Sequence, residues 1–149
     1  MKLFELVSSR KRDCTKCLFE CLFIIWCAFV LWITLLSRTP LEYRVFRPDV
    51  LYEFKKLLID PIGGVYYVKL FFENILLFVP VGFLFPWKKW WIVLGTGCLF
   101  SIFIEFAQYV SMLGECEIDD VIANTLGALL GYFLFKIFIN IYKKMRGRK

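Results

Sequence analysis

Histidine is absent from the 149 residues, which removes the commonest acid–base side chain near neutral pH and one of the two usual zinc-ligand types. Cysteine is present but poorly placed for chemistry. Cys14, Cys17 and Cys21 form C-x-x-C-x-x-x-C without the second pair that a zinc site needs, and Cys27 and Cys98 fall inside apolar runs. These five read as small apolar residues in a reducing environment. No activated serine or cysteine motif, internal repeat or low-complexity segment is visible. The start, "MKLFELVSSRKRDCTKC", also lacks a small-residue cleavage site, so the apolar run after it is expected to be retained.

Apolar side chains, by contrast, are abundant: 60% of the residues are hydrophobic and 19% aromatic, with a mean hydropathy of +0.66. A soluble domain of this size is excluded, and one integral membrane domain over 1–149 is expected. The net charge of +6 sits largely in the two tails, where an anionic inner leaflet accounts for it, so nucleic acid is not an expected partner. The basic end "YKKMRGRK" reads as a stop-transfer and orientation signal.

Four spans are expected, at about 18–37, 69–87, 90–113 and 118–142, giving an all-α polytopic membrane protein. The first reads as an ordinary anchor; the second is interrupted by Glu73, Asn74, Pro80 and Gly82, and the third carries Glu105 and Gln108. Lysine and arginine mark the cytoplasmic side of a short membrane protein. With both termini inside, twelve of the 19 basic residues are cytoplasmic: Lys2, Arg10, Arg12 and their neighbours, Lys88 and Lys89, and the cluster from Lys143 to Lys149. Six more lie in the outer segment 38–69. The link "GECE" (114–117), acidic and without a basic residue, belongs outside, and its Cys116 has no disulfide partner there.

Within 38–69, "PDVLYEFKKLLI" has apolar residues at 50, 51, 54, 57 and 58, with Glu53, Lys55 and Lys56 assigned to the other side. An amphipathic helix on the outer membrane surface is expected, started near Pro48 and ended by "DPIGG" (60–64). A loop helix docked on the bundle is the alternative.

The polar residues of the spans share one end and one set of faces. Glu73 and Asn74, Glu105 and Gln108, and Asp119, Asp120 and Asn124 all fall in the outer half of the membrane. A charged group facing lipid costs roughly 2.5–3.5 kcal/mol for Asp near a helix centre on insertion scales, so a shared pocket between helices is expected. Counter-charges on that side are Lys69, Arg44, Arg47 and Lys55 or Lys56, or a divalent cation in their place. Asp119 and Asp120 also suit the positive end of the fourth span, as caps. Ala123, Gly127 and Gly131 recur at four-residue intervals, the spacing that lets helix backbones approach. Pro80 and Gly82 mark a packing point or a bend in the second span.

"ENILLFVPVGFLFP" (73–86) and "SIFIEFAQYVSMLGECEIDDVIANTLGALLGYFL" (101–134) together resemble the VanZ-like family of small bacterial membrane proteins. The family pattern falls on Asn74, Phe78, Pro80, Gly82 and Phe83, then on Ser101, Glu105 and Gln108, then on Asp119, Asp120, Asn124, Gly127 and Gly131. Two positions depart from it. An arginine frequent after the glycine that ends the third span is replaced by Glu115 or Cys116, leaving Glu105 and Asp120 without that partner, and the first acid of the D-I-D-D run is Glu117.

The resemblance implies a place in the envelope, at the bacterial plasma membrane, and a role in susceptibility to glycopeptides such as teicoplanin. Binding of a polar head group in the outer pocket, from a lipid-linked envelope precursor or an anionic lipid, is the reading that fits best. One alternative is an intramembrane enzyme acting on a lipid head group, with Glu105 as general base and Asp120 as acid or metal ligand. Another is a proton-coupled small transporter, which four helices form only as a homo-oligomer.

Overall fold

The computed structural model describes residues 2–85 and 89–146, with side chains from Cys14 onward. Trp87, the expected end of the second span, lies outside the described residues, as do Lys88, Arg148 and Lys149 and the side chains of Lys2, Arg10 and Arg12. Helix α1 (Lys2–Leu31) continues into a π-helical turn (Trp32–Leu36), followed by strand β1 (Phe46–Arg47) and helix α2 (Tyr52–Ile59). Then come α3 (Pro61–Phe83), α4 (Trp90–Ser111), strand β2 (Cys116–Glu117) and α5 (Ile118–Arg146). The protein is an all-α, multi-pass membrane protein with four helical segments long and apolar enough to cross a bilayer, Cys14–Leu36, α3, α4 and α5.

The second of these starts earlier than the sequence suggests. Pro61, not Lys69, begins α3. Asp60 is its N-cap, accepting hydrogen bonds from the backbone N–H groups of Ile62 and Gly63 at 3.2 and 3.1 Å, and Pro61 occupies the first helical position, where a missing N–H is harmless. "DPIGG" is therefore a helix start. Gly64 serves packing: a Cβ there would lie 2.3 Å from the Leu57 Cα, so α2 and α3 touch backbone to backbone.

The loop helix forms, but the residue it turns inward is not the one its charge pattern suggests. The structure docks α2 against α3, with Phe54 edge-on to Phe71 at 5.3 Å. Its one buried residue is Glu53, 2% exposed, whereas Leu58 and Ile59 are exposed. Glu53 stands four residues before the half-buried Leu57, on the same helical stripe, so the spacing is compatible with the inward face.

The tightest crossing joins α3 and α5. A Cβ on Gly82 would meet the Ala128 carbonyl oxygen at 1.7 Å, one on Gly127 the Ile75 oxygen at 2.2 Å, and one on Gly131 the Val79 oxygen at 1.9 Å. No residue with a side chain fits at these three points without separating the helices. Ala123 is fully buried near this seam. Pro80 lies inside α3; it removes one backbone donor, and beside it the Trp26 indole N–H donates to the Leu77 carbonyl at 3.0 Å, tying α1 to this region. Val30, Phe78, Val81, Val93, Ile104, Ala128 and Tyr132 form the core between the helices.

Two pieces of local backbone shape one end of the bundle. Leu51 (φ 58°) starts α2 and Met112 (φ 58°) ends α4, both in the left-handed region. Two-residue strands β1 and β2 pair in parallel, Phe46 opposite Cys116 and Arg47 opposite Glu117. This ladder, absent from the expected plan, joins the first connection to the "GECE" link.

Candidate functional site

One end of the bundle gathers the residues after the π turn, α2, the start of α3, the residues after α4, β2 and the start of α5 around a polar cavity of about 550 Å³. Arg38, Arg47, Glu53, Asn74, Glu115, Glu117 and Asp120 all face it. The strand register sets Arg47 beside the acidic link: its guanidinium bonds Glu115 at 2.5 Å and Glu117 at 3.1 Å and stacks 4.8 Å from the centre of the Tyr52 ring. Asn74 Nδ2, from α3, donates to Asp120 Oδ1 at 2.6 Å.

Glu53 reaches the cavity from α2, and its Oε2 is buried with no hydrogen-bond partner among the described residues. One carboxylate oxygen each of Glu53, Glu117 and Asp120 lies within 4.8 Å of the others. Burial pushes the Glu53 carboxyl up to about 8, helped by a hydrogen bond with Asp119 and the nearby charges of Asp119 and Glu117. Burial likewise raises Glu117 to about 7, with Asp120 adding to the rise and Arg47 opposing it. The Cys116 thiol is raised too, by burial and then by the surrounding carboxylates.

A second, apolar crevice of about 470 Å³ adjoins the first, lined by Phe46, Ile102, Phe106, Tyr109, Ile118 and Val121 along α4 and α5. Glu117 borders both spaces, and Glu105 borders the crevice alone.

A model of the VanZ/LLP1 family matches residues 22–139, most of the chain and all of the motif region. The chain belongs to the VanZ/LLP1 family. No curated protein and no solved structure matches it.

Within this VanZ/LLP1 chain the seven polar residues expected to share a pocket have separate positions. Only Asn74 and Asp120 line the polar cavity. Glu105 Oε2 accepts the Glu117 backbone N–H at 2.9 Å and so holds β2. Gln108 Nε2 donates to the Thr34 carbonyl at 3.1 Å; the wider π turn around Thr34 leaves that oxygen accessible. Asn124 Nδ2 donates to Ser101 Oγ at 2.8 Å, tying α5 to α4 inside the bundle.

Asp119 is fully buried and accepts the backbone N–H groups of Leu51 and Tyr52 at 2.7 and 2.6 Å. It therefore caps α2, a helix nearly 70 residues away in sequence, rather than its own. Glu73 is the correction: it is exposed and pairs along α3 with Lys69 at 3.4 Å, because its neighbour Asn74 takes the inward face.

Sequence reasoning missed Glu53 and Arg38. The helical spacing of Glu53 is compatible with the inward face. Arg38, directly after the first span, lines the cavity and acts electrostatically on both Glu105 and Asp120. Its role comes from the fold and has no local signature. Arg44 does not line the cavity, whereas Arg47 does.

Proposed function

We propose that this VanZ/LLP1 protein lies in the bacterial plasma membrane with both termini inside, and that its polar cavity faces outward and holds the polar head group of an envelope lipid. Binding there alters susceptibility to glycopeptides such as teicoplanin, as the family resemblance implies. The observation that carries this reading is the polar cavity and the apolar crevice meeting at Glu117. That pairing suits an amphiphile, with its head group among charged and amide side chains and its hydrocarbon against Phe46, Ile102 and Phe106. Arg38, Asn74 and the tyrosines Tyr66 and Tyr67 supply donors for a phosphate or sugar. A lipid-linked envelope precursor and an anionic phospholipid both carry this chemistry.

The test is teicoplanin tolerance in a Gram-positive host, against an unrelated drug, with membrane-inserted protein quantified. The native chain and Glu73→Gln are expected to raise tolerance selectively, and Asn74→Ala and Asp120→Asn to insert normally but lose the effect. Equal protection by all four would remove the cavity from the account.

A further inference from the structure

We propose that Glu53, Glu117 and Asp120 form a binding site for one hard divalent cation of the calcium or magnesium class. Three carboxylate oxygens mutually within 4.8 Å match the spread of ligands around one such ion: oxygens at about 2.3–2.6 Å from calcium lie at most roughly 5 Å apart. The acidic cluster is not the sole indication. Glu53 is 2% exposed, lines the cavity, and presents Oε2 to no donor among the described residues. A buried carboxylate oxygen without a partner costs free energy that a cation in the cavity offsets.

The other two ligands are already oriented. Asn74 holds Asp120 through Oδ1 and Arg47 holds Glu117 through Oε1; partners of this kind fix ligand geometry. Three residues contribute oxygen and none contributes nitrogen or sulfur, which selects calcium, magnesium or manganese over zinc.

Charge leads to the same conclusion. The cavity lining carries four carboxylates, Glu53, Glu115, Glu117 and Asp120, against two guanidiniums, Arg38 and Arg47. With the carboxylates ionised, such a cavity repels a phosphate. One divalent cation cancels the excess and leaves coordination positions for water and for a phosphate oxygen, since calcium takes six to eight ligands. The cation site stands on its own residues; its use as a bridge to a lipid phosphate rests on the head-group reading above.

The test uses the full chain, stripped with chelator and reconstituted in nanodiscs of phosphatidylcholine alone, titrated with Mn2+ and followed by electron paramagnetic resonance, with Ca2+ and Mg2+ as competitors. The expected result is one saturable Mn2+ per chain, displaced by Ca2+ or Mg2+. Affinity should fall by about tenfold or more in Glu53→Gln and Asp120→Asn and stay unchanged in Glu73→Gln.

Absence of a saturable site in the native chain overturns the proposal whether or not any variant folds. Native-like binding by both folded site variants overturns it as well. Lipid retention, read by native mass spectrometry with and without chelator, separates the two claims. Lipid held equally in chelator by a chain that binds no Mn2+ sinks the cation site and leaves the head-group reading. Mn2+ bound by a chain that retains no lipid does the reverse.

Discussion

Replacing Asp119 by asparagine removes one of the two carboxylate oxygens that accept the Leu51 and Tyr52 N–H groups, with almost no change in volume. A hydrogen bond to a charged acceptor contributes about 1.5–3 kcal/mol, and tenfold in an equilibrium constant is about 1.4 kcal/mol. Local opening of α2 should then become roughly tenfold to a hundredfold more frequent in Asp119→Asn. The lower part of that range is favoured because Leu51 is half-exposed and water replaces part of the lost bond. Asp119→Ala, losing both acceptors, should open α2 further.

Hydrogen–deuterium exchange resolved by peptide is the assay. Protection should drop over residues 51–59 and hold in α4 and the second half of α5. Because α2 carries Glu53 into the cavity, Mn2+ affinity should fall along with it, although Asp119 is not itself a proposed ligand. Unchanged protection across 51–59 in a folded Asp119→Asn protein would refute the capping role and return Asp119 to the list of ligand-binding candidates.

Other substitutions test other parts of the structure. Gly82→Val and Gly131→Val place atoms within 2 Å of facing carbonyl oxygens, and should lower Tm in detergent by an amount equivalent to several kcal/mol; Gly95→Ala, which meets open space, should leave Tm unchanged. Ser101→Ala strands the Asn124 amide and should cost about 0.6–2 kcal/mol. A double-mutant cycle with Asn124→Ala should recover part of that loss, and strict additivity would show that the pair does not interact. Glu105→Gln keeps a carbonyl acceptor for the Glu117 N–H and should preserve the β1–β2 link, whereas Glu105→Ala should raise exchange at Glu117.

Stability should also depend on pH. Glu53 and Glu117 are raised in the folded protein from about 4.5 to about 8 and about 7, so the folded state binds protons that the unfolded chain has released. In chelator, stability should therefore be greatest below about pH 4.5 on this account and fall as pH rises towards 8. A Tm series from pH 5 to 8 checks the sign, and Glu53→Gln should flatten it.

The parts of the fold carried by local pattern were readable from the residues. Apolar runs located four spans, and the glycines of α5 sit against α3. Errors arose where a local pattern had two meanings. The Gly63–Gly64 pair resembled a breaker, but the preceding Asp–Pro is a helix start, Gly64 admits the α2 backbone and Gly63 makes room for the capping Asp60 side chain. Charge assigned Glu53 to the solvent side although its spacing is compatible with the inward face.

Other features have no local pattern at all. Arg47 meets Glu117 across 70 residues of chain, and Asp119 caps a helix it follows by 67 residues. Contacts of this sort depend on how the helices pack, so the cluster of acidic and amide residues was visible in sequence while the division between cavity lining and structural ties was not.

The most direct test of the central claim, that the cavity holds a lipid head group, is native mass spectrometry of the protein extracted gently from a Gram-positive membrane. The native chain and Glu73→Gln should retain a discrete lipid of defined mass, lost or strongly reduced in folded Asn74→Ala and Asp120→Asn. Equal lipid retention by all four, or none by the native chain, would contradict it.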